Sequence, residues 1–99
     1  MEVARTTTQR GFDVSSFTDR YGAECSIQKS SLATEEAIWF GVNNPTPMIL
    51  ASSVIDGGTG WAKYPIHDDV TITTRMHLTR ERVAALLPIL QRFVDTGEI

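Results

Sequence analysis

Val70-Thr71-Ile72-Thr73-Thr74-Arg75-Met76-His77-Leu78 runs directly into Thr79-Arg80-Glu81-Arg82-Val83, and the change of rhythm at that junction decides the fold. In the first stretch Val70, Ile72, Thr74, Met76 and Leu78 alternate with Thr71, Thr73, Arg75 and His77. A period of two predicts a strand whose one face meets the core while the other meets water or a partner. From Thr79 the apolar spacing becomes three and four, through Val83, Leu86, Leu87, Leu90 and Val94. That is the stripe of an amphipathic helix. Thr79 suits the N-cap, with Leu78 and Val83 placed for a hydrophobic staple. Glu81 complements the helix dipole, and Gly97 fits the residue that ends the helix. Pro88 removes one helical hydrogen bond and crowds the carbonyl four residues back, so a kink is expected near Ala84-Ala85.

Upstream, residues 1–10 are polar, Thr-rich and aperiodic, and are expected to be a mobile lead-in to a single domain over residues 11–99. Phe12 and Val14 start a strand, with a bulge or strand end at Ser16-Phe17. Asp19-Arg20-Tyr21-Gly22 reads as a turn. Ala23, Cys25 and Ile27 then alternate with Glu24, Ser26 and Gln28 to complete a β-hairpin. Ala37-Ile38-Trp39-Phe40-Gly41-Val42 is apolar enough for a strand buried on both faces. Asn43-Asn44-Pro45-Thr46-Pro47 stops it, and Met48–Ile55 is a further strand candidate. The expected fold is α+β: an antiparallel meander of four to five strands with one C-terminal amphipathic helix packed on one face.

The 99 residues are 41% hydrophobic and 21% charged, ordinary values for a globule. A chain of this length buries only about 60–70% of its unfolded surface, so a homodimer or larger homo-oligomer would help it. The net charge of −3 argues against a general nucleic-acid binder, which needs a dense positive field. No apolar run reaches the roughly 18–20 residues of a membrane helix, and the first residues lack a signal-peptide core. The single cysteine, Cys25, fits a reducing compartment. The expected localisation is cytoplasmic, without membrane association.

Four basic or imidazole side chains gather at the junction: Arg75, His77, Arg80 and Arg82. They could form an anion-binding edge, since arginine offers bidentate donors and a helix start offers free amides. A solvated strand face followed by ordinary helix-surface charges explains them without a ligand, and Glu81 weakens the anion reading. The long segment Asp56–Asp69 carries Gly57, Gly58 and Gly60 with Trp61 and Tyr64. It lacks the lysine and hydroxyl of a P-loop and the spacing of a dinucleotide fingerprint. It reads first as a flexible surface connection; if the chain has a recognition segment, its length and its aromatics make this the expected one. His67-Asp68-Asp69 offers too few ligands for a closed metal site, and no cofactor is expected. Cys25 reads as a buried structural thiol, and Trp39, Phe40 and Met48 as core. No spacing assembles a catalytic set; a small hydrolase built on His67 or His77 would need one of them beside a nucleophile or water.

Two stretches carry a resemblance. Phe17-Thr18-Asp19-Arg20-Tyr21-Gly22, with Cys25-Ser26 and Gln28-Lys29-Ser30-Ser31, is similar to the first half of small uncharacterised proteins of bacteriophages and prophages. Arg75-Met76-His77-Leu78-Thr79-Arg80, with Val83, Leu86-Leu87-Pro88, Phe93 and Gly97, is similar to their second half. With Glu36-Ala37-Ile38-Trp39 between, the likeness covers most of residues 17–97. It carries no assigned chemistry and implies a setting: such proteins often counter host defences by binding a host protein or a signalling nucleotide. The expected function is therefore a non-enzymatic accessory protein inhibiting a host defence protein. The alternative is an oligomeric sponge that holds an anionic signalling nucleotide with Arg75, Arg80 or Arg82 and stacks it on Trp61 or Tyr64.

Overall fold

The computed structural model describes residues Met1–Ile99. The chain divides into two compact units, one made of Met1–Asn43 with Arg75–Ile99, the other of Asn44–Thr74. In the first, β1 (Ala4–Thr7), β2 (Asp13–Thr18), β3 (Glu24–Lys29) and β4 (Ala37–Val42) form an antiparallel meander. In the second, β5 (Met48–Leu50) and β6 (Trp61–Lys63) pair as a two-stranded sheet, with a 3₁₀ turn at Ala51–Ser53 after β5. The chain then returns to place β7 (Arg75–Thr79) beside β4, and α1 (Arg80–Thr96) follows without a break. The architecture is α+β, a five-stranded antiparallel sheet with a C-terminal helix packed on it.

Register assigns the two faces. Ser15, Ile27, Phe40 and Met76 lie in one row across the sheet, next to Phe17, Cys25 and Val42 and to Ile38 and Leu78. This is the apolar face, where Phe17 meets Phe40 edge-on at 6.3 Å. The opposite face carries Val14, Gln28, Trp39 and His77 in one row, and Ser16, Ser26, Gly41 and Arg75 in the next. Among apolar residues only Cys25 and Ala37 are buried, so the core of this unit is thin. No helix is long and apolar enough to cross a membrane.

The strand-to-helix handover falls where the sequence places it. The Thr79 side chain accepts a hydrogen bond from the Arg82 amide, and Gly97 takes a left-handed conformation while donating to the Phe93 carbonyl. The Asp19 turn also forms: its carboxylate accepts from the Tyr21 and Ala23 amides, both at 2.9 Å.

Several expectations are corrected. The strand expected over residues 70–78 begins only at Arg75, because its partner β4 ends at Val42 and the following prolines offer no ladder for Val70–Thr74 to join. Ser16-Phe17 is neither bulge nor end, since β2 pairs in register through Thr18. Ile38–Val42 are half-buried rather than enclosed on both sides. Met48–Ile55 is strand only to Leu50, and it pairs with β6 rather than extending the meander. Within the expected lead-in, Ala4–Thr7 form an edge strand on β2; threonine-rich edge strands need no apolar face to pair.

Candidate functional site

The polar face of the sheet holds the one cluster in which aromatic, cationic and hydrogen-bonding groups converge. Arg75 sits in a row of small residues, beside Gly41 and Ser26, which leaves its long side chain room to lie along the face. Its guanidinium donates to the Gln28 Oε1 at 2.8 Å and lies 5.7 Å from the centre of the Trp39 ring. Trp39 in turn stacks face to face on His77, 4.0 Å between centroids and 8° between planes. His77 Nε2 shares a hydrogen bond with the buried Ser30 Oγ at 2.9 Å. Each flat group is thus pinned by a neighbour, so little rotamer freedom is left to lose on binding.

Arg75 has no carboxylate partner: the one lysine or arginine paired with a carboxylate is Lys29, with Glu36. Most of its five donors remain for a ligand. On the other side of Trp39, a groove of about 340 Å³ is lined by Thr8, Gln9, Arg10, Phe12, Gln28 and Ser31. Arg10 is held 5.6 Å over the Phe12 ring. Two guanidinium-bearing side chains therefore flank the surroundings of one indole, an arrangement suited to a planar or anionic partner.

The expected site residues separate into three groups. Arg75 and His77 belong to this cluster. Arg80 and Arg82 lie in the first turn of α1, around a groove shared with Glu35, Glu36 and Glu81, whose carboxylates oppose an anion there. Arg82 is further tied to the Thr79 hydroxyl at 3.1 Å. Trp61 and Tyr64 are exposed members of the Asn44–Thr74 unit. Trp39, Gln28 and Ser30 were missed as site residues. Trp39 sits in an apolar run that reads as core, and only the pairing Trp39↔His77 reveals which face it takes.

His77 and Ser30 are within reach of each other, the first geometric demand of a hydrolase. The Ser30 hydroxyl, however, also accepts from the Leu32 amide, and no carboxylate pairs with His77 to orient it as a base. His67 Nδ1 lies 3.8 Å from Asp69 Oδ2 and accepts from the Asp69 amide, a local turn contact in the other unit. No group of three or more His, Cys, Asp or Glu side chains could hold a metal. Cys25 is buried, with its thiol against the Ala23 carbonyl.

At the helix end of the sheet, the hydrogen bond from Lys29 holds the Glu36 carboxyl below the usual carboxylate range, and the Lys29 charge adds to it. Because the folded value is the lower one, this contribution is present above the ordinary carboxylate range and is lost as pH falls through the depressed value. In Lys29→Met the Glu36 carboxyl is expected to titrate higher, back toward that range. Carbon-detected NMR of the side-chain carboxyl reads this directly, and an unmoved titration would show that Lys29 is not the cause.

Compared with family models, curated proteins and solved structures, the chain gives no match.

Proposed function

We propose that this chain is a non-enzymatic accessory protein, of the kind bacteriophages encode, that inhibits a host defence protein by occupying part of its surface. The observation that carries the proposal is the pinned Arg75–Trp39–His77 stack on the polar sheet face. Tryptophan and arginine are the residue types that most often anchor protein interfaces, and they do so best when already ordered. The phage setting is supported by the likeness over residues 17–97 described above. A tagged chain is expected to enrich one host protein from lysate, and Trp39→Ala with Arg75→Ala to lose at least about tenfold of that recovery. Recovery of no partner, or of one that the double variant retains, refutes the reading.

A second reading, an oligomeric sponge for an anionic signalling nucleotide, is favoured by the groove beside Trp39. There Arg10, Gln9 and Thr8 on one side and Arg75 on the other could hold phosphate while the indole faces a base. Trp39 replaces the stacking role expected of Trp61 or Tyr64. A bound nucleotide stabilises the folded chain by RT ln(1 + [L]/Kd), so a melting temperature unmoved across a nucleotide panel removes this reading.

A further inference from the structure

The five-stranded sheet ends in two different edges. β1 is a polar strand of four residues. β7 is preceded by Val70-Thr71-Ile72-Thr73-Thr74, an unbroken run of β-branched residues, the side chains that most favour a strand. Residues 71–74 contain no turn or bend, yet they belong to no strand of the chain. The Arg80 amide donates to the Glu36 carbonyl beside the pair Ala37↔Thr79, which fixes the polarity of the ladder. Met76 and Leu78 therefore direct their backbone groups to β4, while Arg75, His77 and Thr79 direct theirs outward. None of the proline, glycine or lysine that commonly guards an edge occurs between Val70 and Thr79, and β7 carries no bulge. Lys29, Ala37 and Ile38 line the cavity beneath Val83, Ala84 and Leu87, so the first turns of α1 pack inward of this edge.

We propose that residues 70–78 pair antiparallel with the same stretch of a second copy about a two-fold axis at Thr74, joining two five-stranded sheets into one. The contact runs along one continuous length of backbone and depends on the path of that stretch alone. It leaves the polar sheet face open, so it stands or falls independently of what that face binds.

The stretch selects its own copy because it is self-complementary in this register. Thr74 faces Thr74, Arg75 faces Thr73, Met76 faces Ile72, His77 faces Thr71 and Leu78 faces Val70. Apolar side chains thus meet apolar ones on one face and polar meet polar on the other, twice over by symmetry. The outward backbone groups of Arg75 and His77 exchange hydrogen bonds with those of Thr73 and Thr71 of the second copy. Main-chain bonds of this kind supply the affinity of strand addition. On the apolar face, Ile72 of the second copy extends the row Ile27–Phe40–Met76, and its Val70 extends Ile38–Leu78. The exposed Val70, Ile72 and Met76 cover one another in this way.

Neighbouring registers lose the match. Pairing about Arg75 sets two guanidiniums opposite each other, and pairing about Met76 sets Thr74 against Leu78. Pairing about Thr73 sets Leu78 against Asp68, and pairing about His77 leaves Val70 and Ile72 without partners.

Sedimentation of the full chain is the test, and the parent is expected at twice its own mass. Thr73→Pro removes an outward amide that has no partner within the chain. It is expected to give monomers whose β4 and β7 amide resonances are unchanged. Thr73→Glu, opposite Arg75 of the second copy, is expected to tighten the dimer about tenfold, and Thr73→Arg to weaken it about tenfold. Thr74→Cys is expected to close a disulfide across the axis under an added oxidant, because facing residues of a non-hydrogen-bonded pair lie within its reach. Thr71→Cys, facing His77, is expected to stay uncrosslinked, and the native Cys25 is buried. A monomeric parent, a dimer that Thr73→Pro leaves intact, equal affinities for Thr73→Glu and Thr73→Arg, or a crosslink in Thr71→Cys but not in Thr74→Cys overturns the proposal.

Discussion

Replacing Phe40 by alanine is expected to lower the unfolding free energy by about 3 kcal/mol, the low end for buried phenylalanines because this ring is half-buried. Phe40 lies on β4, an inner strand, between Ile27 of β3 and Met76 of β7. Its ring meets Phe17 edge-on, with 87° between planes, a contact worth about 1 kcal/mol beyond the area it covers. The core around it contains few buried side chains, so little else can close over the space left behind. For a domain whose total stability is typically about 5–15 kcal/mol, the loss is a large share. Urea unfolding followed by tryptophan fluorescence measures it. Phe40→Leu should cost less than about 1.5 kcal/mol, and Tyr21→Ala, at a 93% exposed turn residue, should cost almost nothing. A Phe40→Ala midpoint equal to the parent's would mean the apolar face is not the core.

Pro88→Ala acts in the other direction and is expected to stabilise α1 by about 2–3 kcal/mol. Pro88 is inside the helix, not in its first turn, so its missing amide is a lost helical hydrogen bond rather than one that would have been free anyway. The Ala84 carbonyl, one turn back, gains a donor when the proline is removed. Because α1 meets the sheet only near its start, the gain concerns local opening of the helix. Hydrogen exchange of amides 85–96 should slow by about thirtyfold or more, with amides of β3 and β4 unaffected. Uniform change across both elements would show instead that helix and sheet open together.

The sequence made the junction at Thr79 legible because two local signals agree there: a period of two ends and a capping residue begins a period near 3.6. The Asp19 turn and the left-handed Gly97 were legible for the same reason, each being decided within four or five residues. What was not legible depended on partners distant in the chain. Val70 and Ile72 alternate as well as Met76 and Leu78 do, yet only the latter have β4 beside them. Ala4–Thr7 carry no apolar pattern, and their pairing is fixed by the vacant edge of β2. In the same way Arg75 and His77 could be named from their position, but the group that makes them a cluster, Trp39, lies in a run whose composition suggested enclosure. Its role follows from register, with Trp39 opposite His77 and diagonal to Arg75.

Gly41 and Arg75 are direct neighbours across the β4–β7 ladder, although the whole of Asn44–Thr74 is threaded between those strands. The departure and return of that excursion are therefore fixed by the framework and not by the excursion itself. Such a joint works like a socket: the segment can lengthen, shrink or change composition without disturbing the strands that hold its two ends. Related chains could keep one scaffold while swapping what it displays, and a short hairpin turn grafted across the same two strands should leave a smaller protein that still folds.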